Sequence, residues 1–257
     1  MLGLYDSGLG GLTVLAALRA AGIDQDVVYF ADQAHVPYGD KTDTQIHGYL
    51  EENLALLAGL DVDAVVTACN TTCAVAERHG WPAAAFPVLD LIATAGRSFA
   101  NTPHRRIAVV ATVATVRSGA YARAICIAAP HAEVFEIAAP ALVPIVERGE
   151  AETAAAQSAV AEVVAQLPPD IDAVVYGCTH YPLLDHWFAE QLGPRIDRVD
   201  PAVAQATAAR TLVAQLNLTP GTSSTAYYTN GDPDVFETSV RQWTGDTNGR
   251  VSALVSR

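Results

Sequence analysis

The sequence predicts an α/β protein of two related lobes, each built on a mostly parallel sheet. Two observations carry that prediction. Strand-like and helix-like segments alternate along the chain, the pattern of parallel strands joined by crossover helices. In addition, Asp61-Val-Asp-Ala-Val-Val-Thr-Ala-Cys69-Asn70 returns 109 residues later as Asp170-Ile-Asp-Ala-Val-Val-Tyr-Gly-Cys178-Thr179, with six of ten positions identical. Each Ala-Val-Val run reads as a buried strand that delivers its cysteine to the strand's C-terminal end. In open α/β sheets that edge is where ligands bind. Two such units can aim two thiols at one ligand from opposite sides.

The elements follow in order. Strands are expected at residues 2–5, 27–30, 64–68 and 84–89, with helices at 12–21, 45–57 and 71–78. A second series of strands at 107–110, 133–137, 173–176 and 196–199 alternates with helices at 119–128, 152–167 and 201–216. The alanine-rich stretch 151–165 is a strong helix former rather than low-complexity sequence. A weaker correspondence sets Gly3-Leu-Tyr-Asp6-Ser7 against Ala108-Val-Val-Ala111-Thr112, two apolar runs that reach a small hydroxyl residue. The lobes are expected to join near 94–105. The first comprises 1–95 with 205–257, whose Tyr227-Tyr-Thr-Asn-Gly231 segment and closing helix return to it, and the second 96–204. About 50 residues of tail are too few for a third domain.

Composition narrows the function. The 257 residues are 51% apolar, enough for a sizeable core, yet no apolar run reaches membrane-spanning length. A net charge of −13 disfavours nucleic acid and anionic membrane as partners. The short basic cluster His104-Arg105-Arg106 reads as a solvated loop. The opening Met1-Leu-Gly-Leu-Tyr-Asp6 lacks the basic region of a signal peptide, and a cytoplasmic protein is expected. Its four cysteines, Cys69, Cys73, Cys126 and Cys178, form no CxxC pair and no metal-ligand spacing. Neither disulfides nor a metal are expected, which leaves inert buried thiols or reactive ones.

The segments around the cysteines favour reactivity. At the junction of strand and helix, Cys69 is expected to feel the helix dipole and to have its thiol pKa lowered. Asn70 and Thr71 add donors and acceptors for a carboxylate or amine. Alone, Cys69 would read as a small buried hydrophobe; its duplicate beside Thr179 and His180 reverses that reading. His180 can tune the second thiol or transfer protons near neutral pH. A hydrolase would use Cys178 as nucleophile with a histidine base, but would leave Cys69 without a role. Asp6-Ser7-Gly8-Leu9-Gly10-Gly11 reads as a tight ligand-approaching loop whose amides can hold a carboxylate, with Asp6 pairing an ammonium group or orienting a base. It matches neither a dinucleotide fingerprint nor a P-loop. Asp32 with Pro37-Tyr38-Gly39 forms another loop at a strand end. By itself Glu147 reads as a solvated carboxylate at a helix end.

Taken together, Asp6-Ser-Gly-Leu-Gly-Gly-Leu-Thr-Val, Val36-Pro-Tyr-Gly39, Ala68-Cys-Asn-Thr71, Arg117-Ser-Gly-Ala-Tyr121, Val143-Pro-Ile-Val-Glu147 and Gly177-Cys-Thr-His-Tyr-Pro-Leu-Leu184 resemble the aspartate/glutamate racemase family. The resemblance implies two flavodoxin-like lobes facing each other across a cleft that holds the active site, no cofactor, and a homodimer. It implies glutamate as substrate, D-glutamate feeding peptidoglycan synthesis, and a bacterial source. By position Cys69 and Cys178 match the two catalytic bases, the first acting on D-glutamate and the second on L-glutamate. Asp6 and His180 match assisting residues, and Glu147 a carboxylate near the second thiol. Ser7, Pro37, Tyr38, Gly39, Asn70, Thr71, Thr112, Thr115 and Thr179 fall where the family contacts substrate. The chain departs from the family at Thr72, Cys73, Ala111 and His35, and Cys73 adds a third thiol near the site. An aspartate racemase, another two-cysteine isomerase and a non-catalytic amino-acid-binding paralogue are the competing readings.

Overall fold

The computed structural model describes residues 1–254. The first apolar run forms the buried strand β1 (Leu2–Asp6), and a glycine loop leads into helix α1 (Gly11–Ala20). There follow β2 (Val27–Ala31), α2 (Asp43–Ala58), β3 (Ala64–Thr67) and α3 (Asn70–His79). Helix α2 starts at a capping box, in which Thr42 accepts from the Gln45 amide and Gln45 accepts from the Thr42 amide. Two helix-end donors are thereby satisfied.

Strand β4 is only Val88–Leu89, against the expected 84–89. Pro87 cannot donate to a sheet ladder, so pairing with β3 starts after it. The expected junction at 94–105 is mostly helical: α4 (Leu91–Ser98), capped by the Asp90 carboxylate, runs into a short 3₁₀ turn at Phe99–Asn101.

The second series comprises β5 (Arg106–Ala111), α5 (Val113–Ser118), α6 (Ala120–Ala128), β6 (Glu133–Ala138), α7 (Leu142–Glu147) and α8 (Ala154–Val164). It continues through β7 (Ala173–Gly177), a 3₁₀ turn at Tyr181–Leu184, α9 (Asp185–Leu192), β8 (Asp197–Val199) and α10 (Pro201–Gln215). Helix α8 is shorter than the expected 152–167 because Thr153 caps its start by accepting from the Ala156 amide. The tail supplies β9 (Thr225–Thr229), α11 (Pro233–Thr244) and β10 (Val251–Ala253).

Among the described residues ten strands make two fully parallel sheets, ordered β10-β9-β2-β1-β3-β4 and β6-β5-β7-β8. The segments β2-β1-β3-β4 and β6-β5-β7-β8 share one winding order. Their registers also correspond: Leu2 opposes Ala64 as Ile107 opposes Ala173. Ser7 and Thr112 therefore occupy equivalent places just past the central strands. Both repeats open in the left-handed region, with φ of 53° at Asp61 and 60° at Asp170. Aspartate tolerates that conformation better than most side chains, which accounts for its identity at both positions. Strands β9 and β10 extend the first sheet beyond β2.

The halves do not pack independently. One continuous core includes Leu4 and Val66 of the first sheet, Val110, Val174 and Tyr176 of the second, and helices α1 and α10. Burying this shared apolar surface is the dominant stabilising term. It also fixes the C-terminal ends of β1, β3, β5 and β7 relative to one another.

Candidate active site

Those four strand ends converge on one enclosed cavity. Of the residues singled out from sequence, Ser7, Pro37, Tyr38, Gly39, Cys69, Asn70, Thr71, Thr112, Cys178, Thr179 and His180 line it. Asp6, Thr115 and Glu147 sit behind this lining, held to it by hydrogen bonds. Val36, Asp40, Val113, Ala139, Pro140 and Val143 complete the wall. Val36 and Val143 open two of the motifs quoted above; the other four carry no sequence signal of their own.

Both thiols are free and buried, but their surroundings differ. Cys69 is the N-cap of α3: its sulfur accepts from the Thr72 amide, and its thiol donates to Ser7 Oγ, both at 3.5 Å. The expected lowering of its pKa does not hold in this closed site. Burial pushes the thiol up to about 12, the nearby Asp6 charge adds to that, and the hydrogen bonds with Thr72 and Ser7 only partly oppose it. Desolvation outweighs the helix terminus here.

No α-helix starts beneath Cys178, since the chain turns through a 3₁₀ segment instead. Its neighbour is His180, whose Nδ1 lies 3.7 Å from Cys178 Sγ and whose Nε2 lies 2.6 Å from Glu147 Oε1. Burial alone would lower the pKa of this imidazole. The hydrogen bonds and charges of Cys178 and Glu147 outweigh that and hold it well above the usual histidine range. These contacts favour the imidazolium form of His180. Glu147 is itself fixed by the Leu9 amide at 3.1 Å.

The glycine loop does something other than expected. Its amides are taken by protein carboxylates: Gly8 and Gly11 donate to Asp6 Oδ2 at 3.2 and 2.9 Å, and Leu9 to Glu147. The glycines allow the second half to approach closely. A Cβ on Gly8 would lie 2.3 Å from Glu147 Oε1, and one on Gly10 2.5 Å from both His180 Nδ1 and Thr179 Oγ1. Asp6 does not line the cavity. It is fully buried, and burial raises its carboxyl to about 6 against the pull of the His180 charge and the two amides. Thr179 Oγ1 donates to its other oxygen at 3.4 Å.

On the facing wall three hydroxyls bridge the halves. Thr71 Oγ1 lies 3.0 Å from Thr112 Oγ1 and 3.4 Å from Thr115 Oγ1. Gly39 approaches Thr112 so closely that a Cβ there would sit 3.2 Å from the threonine Cβ. Tyr38 is held by Asp32 and by Tyr5 at 2.9 Å. Buried Asp32 also meets His35 at 2.6 Å and Asn53 at 3.1 Å, so it organises this loop from behind. Cys73 is not at the site: it points into a core cluster with Leu91, Phe99 and Tyr121. Tyr121 closes the Arg117-Ser-Gly-Ala-Tyr121 motif, but the sequence assigns it no contact with the site. It donates to Asn70 Oδ1 at 2.5 Å across a separation of 51 residues, which no local pattern reveals.

Among the described residues no group of three or more histidine, cysteine, aspartate or glutamate side chains is arranged to hold a metal. No helix there is long and apolar enough to cross a membrane.

Known proteins share both this sequence and this fold. A family model described as Asp/Glu/Hydantoin racemase matches residues 13–209. The glutamate racemase of Desulforudis audaxviator is 38% identical over 255 residues, covering 95% of this chain and 93% of that protein. A glutamate racemase isoform from Bacillus anthracis superposes with a TM-score of 0.91 at 27% identity, covering 99% of this chain and 97% of the other. That of Francisella tularensis, solved in complex with D-glutamate, gives 0.86 at 27% identity over the same shares. The chain belongs to the Asp/Glu/Hydantoin racemase family. It is an isomerase of the amino-acid racemase class, as the sequence resemblance implied.

Proposed function

We propose that this chain is a glutamate racemase that interconverts L- and D-glutamate without a cofactor, moving the α-proton between two thiols. One observation carries the reading: two buried free cysteines, from matching strand ends of two related halves, line a single cavity. Binding alone would need neither. The relatives' names support glutamate as the substrate. A Schiff-base cofactor has no foothold, because the chain's one lysine, Lys41, lies outside the cavity lining.

For L-glutamate, the Cys178 thiolate takes the α-proton and becomes a thiol. The electron pair stays on Cα. Cys69, a thiol at rest, then gives its proton to the opposite face and becomes the thiolate, and D-glutamate leaves. Once product has left, exchange of protons between the two sulfurs and solvent restores the first state. His180, whose imidazolium form Glu147 favours, stands beside Cys178 and offsets negative charge on that sulfur, while Glu147 fixes the ring. Hydroxyls of Ser7, Thr71 and Thr179 and the amide of Asn70 receive the substrate's carboxylates. Fixed donors around the cavity stabilise the developing charge. The same kinship supports D-glutamate supply to peptidoglycan synthesis and a cytoplasmic homodimer.

Serine substitution at each thiol tests this. Cys69→Ser and Cys178→Ser should each lower racemisation by about 10²–10⁴-fold, the range of a lost acid or base. Undiminished turnover in both variants would overturn the reading, and faster turnover of aspartate than of glutamate would move the substrate assignment.

A further inference from the structure

The geometry points to Tyr121 as a positioning residue that orients Asn70 for substrate. The inference rests on the racemase reading above. Asn70 opens α3 in the first half and lines the cavity, whereas Tyr121 lies on α6 in the second. Both are buried. Tyr121 Oη reaches Asn70 Oδ1 at 2.5 Å, and Asn70 Nδ2 is a buried donor with no partner.

An unpaired buried amide is costly, so the structure must have a use for it. The orientation follows from counting donors. With Oδ1 toward Tyr121, the phenol proton and the amide oxygen satisfy each other and only Nδ2 is left over. With the amide reversed, the phenol proton and Oδ1 would both lack partners, which is the worse arrangement. Tyr121 therefore selects the rotamer in which Asn70 offers its NH₂ rather than its oxygen. A carboxylate in the cavity is the complementary acceptor. Donor and positioner come from different halves, so the carboxylate-binding group is assembled across the cleft.

The test is a double-mutant cycle on the dissociation constant of D-glutamate, read by calorimetry so that it does not depend on turnover. Tyr121→Phe should weaken binding about tenfold, the loss expected for one hydrogen bond and its consequences. In steady-state kinetics KM should rise while kcat changes little. On an Asn70→Ala background Tyr121→Phe should add almost nothing. Unchanged binding in Tyr121→Phe, or the same loss with Asn70→Ala as without it, would overturn the assignment. If Tyr121→Phe fails to fold, wild-type protein still decides. The Asn70 side-chain ¹⁵NH₂ resonance, identified by its loss in Asn70→Ala, should shift when D-glutamate is added, and its failure to move would refute the role. The two-thiol reading fails separately, through undiminished turnover of the serine variants, so the two outcomes are distinguishable.

Discussion

Asp6 shows how the site trades stability for electrostatics. Its carboxyl is fully buried, and burial raises its pKa from 3.8 to about 6 despite two backbone amides and the nearby His180 charge. The folded state therefore binds this proton more tightly than the unfolded chain. The stability that follows is fully present below the unfolded pKa and is lost as pH rises through the folded value. A shift of this size corresponds to roughly 3 kcal/mol. Asp6→Asn keeps the shape and one acceptor oxygen for the Gly8 and Gly11 amides while removing the charge. It should stabilise the protein by on the order of 1–3 kcal/mol at pH 8, with the gain shrinking to nothing below about pH 4. Denaturant unfolding across that range measures it, and a gain independent of pH would contradict the assigned cause. The presence of Asp6 in the motif was readable from sequence. Its burial was not, because the amides that enclose it and the histidine that faces it meet only in the folded chain.

The same limit operates at the level of elements. The long strands and helices were legible because apolar runs and alternation are local signals. The short helices α5, α7 and α9, of six to eight residues, are too brief to display a period. The glycine loop was recognised but given the wrong neighbour. Its true contacts, Glu147 and His180, come from the other half of the chain, and the amides assigned to a ligand are bound to side chains. Gly10 has an ordinary helical backbone, φ −58° and ψ −32°, so alanine is conformationally acceptable there. What alanine cannot do is share space with His180. Gly10→Ala should displace the imidazole from Cys178 and lower kcat by about tenfold or more, since misplacing a reacting group by 1 Å costs up to about a hundredfold. Circular dichroism should show the fold intact. Wild-type kcat in this variant would mean that the His180 position does not matter to turnover.

Across the whole molecule, a repeated unit has become two unequal sites. The sheets share their winding order and register, and the aspartates that open each repeat share a left-handed turn. The thiols at their ends do not share an environment. Cys69 caps a helix and is pushed up to about 12 by burial, whereas Cys178 stands beside an imidazole braced by Glu147. The repeat identified both cysteines from sequence, since identical strands carry them to equivalent ends. It could not foretell their different states, which depend on what each half contributes to the other. The proposed exchange between two faces of a carbon calls for two such unequal thiols.

The most direct test is early turnover of L-glutamate in D₂O, with the recovered substrate and the new D-glutamate analysed separately for deuterium at Cα. Transfer between two thiols predicts deuterium in the D-glutamate formed and almost none in the L-glutamate that remains. Deuterium accumulating in the recovered L-glutamate as fast as in the product would show a single base returning the proton to the face it came from, and would contradict the account.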